Sequence, residues 1–109
     1  MAVHCIENAA SLIVVFLDSD QMYDHTKDLQ SIGACIQNML LALHSLGLGG
    51  VWLGEILKKK DMVNELLGAP ESYELMAVVA LGYPANKIRT SERKGISELV
   101  YRERFGLPW

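Results

Sequence analysis

The apolar positions of the chain fall into blocks whose spacing predicts strand, helix, helix and strand in that order. Ser11 to Asp18 reads Ser-Leu-Ile-Val-Val-Phe-Leu-Asp, an unbroken apolar run rich in β-branched residues. Such a run predicts a strand buried on both faces or nearly so. Asp18 to Asp28 is polar and irregular and reads as a loop. Ile32, Ile36, Met39, Leu40, Leu43 and Leu46 then recur at steps of three and four, the period of a helix. Asp28 or Ser31 can cap its start, and Gly47 suits the left-handed position that ends it. Leu48 to Glu55, with glycines around Val51, Trp52 and Leu53, predicts an extended segment pressed close to a neighbour. Ile56 to Leu67 reads as a surface helix with Ile56, Leu57, Met62, Val63, Leu66 and Leu67 inside and Gly68 and Pro70 at its end. Glu74 to Gly82 holds a second continuous apolar strand, closed by Tyr83-Pro84. Asn86 to Lys94 is a basic, polar loop, and Leu99, Val100 and Tyr101 follow before the carboxy-terminal Pro108-Trp109. One layer of sheet against helices, α+β or α/β, accommodates this order.

The Ile32–Leu46 helix departs from an ordinary surface helix. Ala34, Cys35, Leu41 and Ala42 fill much of its other side, and no Asp, Glu, Lys or Arg occurs from Gln30 to Gly54. The uncharged stretch is long enough for a membrane span, but Gln37, Asn38, His44 and Ser45 interrupt it and Gly47, Gly49 and Gly50 break it, so no span is expected. A helix apolar nearly all round is buried nearly all round. A chain of 109 residues has few elements to cover it. The expectation is a homodimer with this helix at its centre.

Composition narrows the class further. The length allows a single domain, residues 1–109, and the 50% hydrophobic and 21% charged content excludes a disordered chain. A net charge of −3 argues against nucleic-acid binding. The amino terminus lacks a basic region followed by an apolar run, so a signal peptide is not expected. Cys5 and Cys35 are too few for a secreted disulfide scaffold and fit two thiols in a reducing cytoplasm.

Few side chains offer chemistry of their own. The glycines at 47, 49 and 50 follow a helix instead of opening one, and Trp52 stands at the third glycine position of a dinucleotide fingerprint. Gly49 and Gly54 have the Walker spacing, but Glu55-Ile56 replaces the required Lys and Ser/Thr. Those glycines serve either a helix stop and tight backbone path or the close approach of backbone to a flat ligand. His4, His25, His44 and the cysteines show no metal-ligand spacing, and Cys35 reads as a small hydrophobe on a buried helix face. Gln37 and Asn38, if buried, need hydrogen-bond partners. Lys87, Arg89, Arg93 and Lys94, against the single acid Glu92, form either a solvated loop or a phosphate clamp.

Taken together, Ser31-Ile-Gly-Ala-Cys-Ile-Gln-Asn-Met-Leu-Leu-Ala42 and Leu46-Gly-Leu-Gly-Gly-Val-Trp-Leu-Gly-Glu55 resemble the core of the nitroreductase family. Ala80-Leu-Gly-Tyr-Pro-Ala85, Arg93-Lys94 and Glu98-Leu-Val-Tyr101 are similar to its closing strand and tail. The resemblance implies an α+β fold with a central, mostly antiparallel sheet packed against helices. It implies an FMN-dependent oxidoreductase that draws electrons from NAD(P)H, works as a homodimer and leaves the redox chemistry to the flavin. It further implies that Trp52, Leu53, Gly54 and Glu55 pass along the flavin ring near its redox-active nitrogen, and that Arg93 and Lys94 help hold the FMN phosphate.

The chain departs from the family pattern in length. Family members carry an amino-terminal half with an Arg-x-Ser type motif that grips the FMN phosphate and ribityl chain, and Ser31 stands where an Asp is expected. The expectation is therefore an incomplete flavin site, completed by a missing amino-terminal half or left weak. Two functions follow: an FMN oxidoreductase, or a non-enzymatic dimeric remnant or binding module that keeps the fold.

Overall fold

The computed structural model describes residues 2–85 and 90–109. Three strands form one antiparallel sheet: β1 (Ser11–Asp18), β2 (Gly49–Leu53) and β3 (Tyr73–Gly82), in the order β1-β3-β2. The helices are α1 (Ala2–Asn8), α2 (His25–Ser45), α3 (Lys60–Leu67) and α4 (Ile96–Leu99). The α+β architecture and the antiparallel sheet are as expected. α1 was not legible as an element in the sequence.

β3 is central, which explains its continuous apolar run. Leu75, Ala77, Val78, Val79 and Ala80 are all buried, because both faces of the strand meet helices. Ala77 and Val79 pack with Ile36 and Leu43 of α2 on one face. Val78 and Ala80 pack on the other face with Leu53, Cys5, Ile6, Ile56, Leu57 and Val63. Leu75 joins this second cluster although its odd position matches Ala77. The register shifts between Val15 and Phe16, where Val15 faces Ala77 and Phe16 faces Leu75. The extra residue on β3, Met76, reverses which side chains point to which face.

The burial expected of β1 is only partly met. Ile13 and Val15 pack toward α2, and Val14 and Phe16 toward the other cluster, so both faces are used. Only Leu17 reaches full burial, because β1 is an edge strand.

Two boundaries need correction. α2 begins at His25, not beside Ile32, and its cap is neither Asp28 nor Ser31. Asp24 is the cap: its carboxylate accepts from the Lys27 N–H at 2.9 Å, while Asp28 Oδ2 accepts from the Tyr23 N–H at 2.8 Å. Polar residues in the first two turns hid this start, since they face solvent and carry no apolar period. The stretch read as one helix from Ile56 is a short 3-10 helix, Glu55–Lys59, running into α3, and Met62, Leu66 and Leu67 are exposed rather than inside. Of the carboxy-terminal block, only Ile96–Leu99 is helical.

The stops at Gly47 and Gly68 are as expected, with φ of +75° and +65°, a region that a Cβ disfavours.

The carboxy-terminal segment stands away from the body. The radius of gyration is 17.2 Å, against roughly 13 Å for a compact chain of this length. Ile96, Leu99, Phe105 and Trp109 are exposed, and Tyr101 stacks edge-on against Phe105 with ring centroids 4.6 Å apart. No helix of the described residues is long and apolar enough to cross a membrane.

Candidate functional site

The expected site residues on β2 are positioned by its alternation. Among the described residues β2 pairs only with β3, so its other edge is open. Trp52 lies opposite Val79 and points to the α2 side, whereas Leu53 lies opposite Val78 and is buried on the other side. Trp52 keeps 44% of its surface exposed. The tip of its indole, Cη2, rests near α2, 3.9 Å from where a Cβ on Gly33 would lie. Gly50, two residues earlier on the same face, lies against α2 more tightly still: a Cβ there would fall 2.6 Å from Leu43 Cδ1 and 3.2 Å from Leu40 Cδ2. Of the two roles open to this glycine stretch, the close backbone path is therefore present. The neighbour at Gly50 is α2.

Beyond Leu53 the strand ends, and a Cβ on Gly54 would meet nothing within 4 Å. Among the described residues, the backbone N–H groups of Gly54 and Glu55 find no protein acceptor. The Gly54 carbonyl accepts from the Leu57 N–H at 3.0 Å and starts the 3-10 turn. The Glu55 carboxylate turns outward to Lys58 at 2.8 Å, with both side chains largely in solvent. The strand exit thus presents a half-exposed indole and two free backbone donors on an open edge.

Arg93 and Lys94 lie on the irregular segment before α4 and are exposed. Among the described residues neither forms an ion pair or a side-chain hydrogen bond. Among the described residues no such bond joins them to Trp52–Glu55, the run of four residues that ends β2 and opens the 3-10 turn. Lys87 and Arg89, the other cations of the basic loop, lie outside the described residues.

One expectation about α2 needs correction within a single chain. Cys35 is exposed rather than buried, and Gln37 and Asn38 are exposed as well, so neither amide requires an internal partner. Leu41 and Leu46 are 58% and 72% exposed. The outer side of α2 is the uncharged face expected from the sequence, and in one chain nothing covers it.

Sequence reasoning missed the approach of Trp52 to Gly33 of α2, and missed a wide, open groove at the opposite end of β2. His4, Cys5 and Asn8 of α1 line that groove with Gly49, Gly50, Gly82 and Pro84. None of Trp52–Glu55, Arg93 or Lys94 borders it. The candidate site is an open strand edge, not an enclosed pocket.

Comparison with known proteins supplies context for this edge. A model of the nitroreductase family matches residues 2–83. A protein of Archaeoglobus fulgidus provisionally named an NADH dehydrogenase/NAD(P)H nitroreductase is 39% identical over 85 residues, covering 75% of this chain and 49% of that protein. The NADPH-flavin oxidoreductase of Vibrio harveyi is 30% identical over 112 residues, covering 92% of this chain and 47% of its own length. A provisionally assigned nitroreductase of Desulfovibrio desulfuricans, solved in complex with FMN, superposes with a TM-score of 0.85 at 41% identity, covering 94% of this chain and 59% of that one. The chain spans about half the length of the curated relatives it matches.

Proposed function

The chain belongs to the nitroreductase family, and from that premise we propose that it is a flavin oxidoreductase subunit whose β2 exit lies along the ring of FMN. The observation that supports this reading most is the strand exit itself. Two backbone N–H groups without acceptors among the described residues, at Gly54 and Glu55, lie beside a half-exposed indole at Trp52. A flat heteroaromatic ring with acceptor atoms along its edge matches that combination: the donors meet the edge, the indole meets the face, and Gly54 leaves the approach clear. Leu53, buried beneath the strand, fixes the backbone from below.

FMN, when bound, supplies the redox chemistry, taking a hydride equivalent from NAD(P)H and passing electrons to a small acceptor. This chain's residues bind and orient. Backbone donors at positions 54 and 55 favour electron density on the ring edge that they face. Arg93 and Lys94, free of ion pairs among the described residues, are the anchor for the phosphate, by charge-assisted hydrogen bonds. No side chain is assigned a covalent or acid–base step.

The active form is a homodimer joined through Ile32–Leu46. The support is an uncharged outer face carrying Leu41 and Leu46, which is too apolar to leave in water. The pair of free thiols, Cys5 and Cys35, suits a reducing cytoplasm. The alternative is a non-enzymatic dimeric module of the same fold, favoured by the lack, among the described residues, of any hydrogen bond or ion pair that ties Arg93 and Lys94 to Trp52–Glu55. The visible spectrum of the purified chain, before and after addition of FMN and gel filtration, separates the two. Retained flavin absorbance supports the oxidoreductase reading. A chain that stays colourless after saturation with FMN overturns it in favour of the module.

A further inference from the structure

The charges of this chain are unevenly divided. Residues 1–85 carry ten Asp and Glu against four Lys, whereas residues 86–109 carry six Lys and Arg against three Glu. The negative charge is densest from Asp18 to Asp28, where Asp18, Asp20, Asp24 and Asp28 stand against Lys27 alone. Lys27 is drawn over the Tyr23 ring, 5.2 Å from its centroid. A groove opens in this region, between the end of β1 and the start of α2. Phe16, Leu17, Met22 and Ile32 give it an apolar lining, and Asp18 and Asp28 border it. Each of those carboxylates ties down local backbone with one oxygen: Asp18 Oδ1 accepts from the Asp20 N–H at 3.1 Å, and Asp28 Oδ2 from the Tyr23 N–H at 2.8 Å. Their other oxygens accept no hydrogen bond among the described residues, and neither group forms an ion pair there.

Complementary chemistry stands at the other end of the chain. Tyr101 bridges to Pro108, and the Arg102 N–H donates to the Leu107 carbonyl at 3.0 Å, which closes a loop. Glu103 in that loop has a φ of +68°, the one positive φ at a non-glycine position among the described residues. An L residue keeps that conformation only where its surroundings fix it. The loop is therefore a formed hook, not a loose tail. Phe105 at its tip is 89% exposed, and Arg102 and Arg104 make no ion pair or side-chain hydrogen bond among the described residues.

We propose that the Tyr101–Pro108 hook docks in the acidic groove at the start of α2 of a second copy of this chain, Phe105 against the apolar lining and Arg102 and Arg104 against Asp18 and Asp28. An aromatic anchor in an apolar recess with opposite charges at its rim is the usual build of a docking site. The groove includes Ile32, the first residue of the helix placed at the centre of the dimer, so the hook closes over the edge of that same interface. The exchange is reciprocal and closes at two chains. That the occupant is a second copy rests on the homodimer proposed above; the match of hook and groove does not.

The test is cross-linking between two chains in a Cys5→Ser, Cys35→Ser background. One chain carries Gln21→Cys beside the groove, and the other, lengthened by an affinity tag, carries Leu107→Cys on the hook. Circular dichroism first establishes that each is folded. Mild oxidation with copper–phenanthroline is expected to give a mixed disulfide-linked pair on a non-reducing gel, more slowly as salt is raised. Arg102→Ser with Arg104→Ser should slow the linking roughly two- to thirtyfold, the worth of two exposed ion pairs, and Phe105→Ser should slow it as well. Linking that ignores these substitutions is random collision and overturns the docking. No mixed pair from chains that sediment as a dimer overturns the docking and leaves the α2 interface standing. A link formed only when both cysteines are in one chain, at the mass of one chain, overturns the second copy as occupant. A mixed pair from a parent that sediments as a monomer keeps the hook and groove and overturns the α2 homodimer. A second measurement needs no cysteine change: Arg102→Ser with Arg104→Ser in the parent should weaken the dimer by the same roughly two- to thirtyfold in sedimentation, and an unchanged dimer constant contradicts the hook.

Discussion

Gly50 and Leu43 are in such close contact that a Cβ on the glycine would fall 2.6 Å from Leu43 Cδ1. The packing of α2 on β2 is built on this absence of a side chain. Gly50→Ala is therefore expected to destabilise the fold by about 1–3 kcal/mol, the usual cost of overpacking. Leu43→Ala alone should cost about 2–5 kcal/mol through the cavity it leaves. The double variant should lose less than the sum, because each change relieves the other. Urea denaturation of the four proteins measures this, and strict additivity would show that the two residues do not share the contact.

The start of α2 rests on Asp24. Replacing it with alanine removes the acceptor of the Lys27 N–H, a bond of 2.9 Å. A loss of about 0.5–2 kcal/mol is expected. Asp24→Ser should retain most of the parent's stability, since a serine hydroxyl accepts the same bond. Thermal denaturation followed by circular dichroism checks the order parent, serine variant, alanine variant.

The two ion pairs should behave differently despite their similar lengths. Lys60–Glu74 at 2.9 Å ties α3 to β3 and is partly shielded, with side-chain exposures of 35% and 40%. Lys58–Glu55 is at 2.8 Å but stands in solvent. Glu74→Gln is expected to cost up to about 1 kcal/mol at low salt and less at high salt, whereas Lys58→Ala should barely change stability at either. Denaturation at two ionic strengths distinguishes them.

The dimer predicts its own disruption. Leu41→Glu places a charge at the centre of the uncharged face of α2, where an unpaired charge buried by a partner is strongly disfavoured. In sedimentation velocity the parent should run as a dimer and the variant as a folded monomer. Lys59→Ala, on the other side of the sheet, should leave the dimer intact. A parent that sediments as a stable monomer at micromolar concentration would contradict the interface.

Much of the framework was legible in the sequence, for identifiable reasons. Gly47 and Gly68 were readable as helix stops because only a residue without a Cβ takes their positive φ readily. β3 was readable because a central strand facing helices on both sides is apolar without alternation. The start of α2 was not, because its first turns face solvent and a cap needs no apolar neighbour. Nor could periodicity show that Met62 and Leu66 are exposed, since an apolar residue on a helix does not announce which surface will cover it. At the site, Trp52–Glu55 could be picked out from the glycines and the family likeness. The approach of Trp52 to Gly33 could not, because the residues are far apart in sequence and a single glycine in a helix carries no partner's name.

If the β2 exit holds a flavin whose phosphate is anchored by Arg93 and Lys94, the chain must quench FMN fluorescence on titration, and the quenching must respond to salt. The parent should quench FMN, more weakly as salt is raised. Arg93→Ala with Lys94→Ala should weaken binding roughly 10²–10⁴-fold, the equivalent of two charge-assisted hydrogen bonds, while Lys59→Ala should leave it unchanged. Tight, salt-insensitive binding that survives the double substitution would contradict the anchor, and no quenching by the parent at any salt would contradict the flavin site itself.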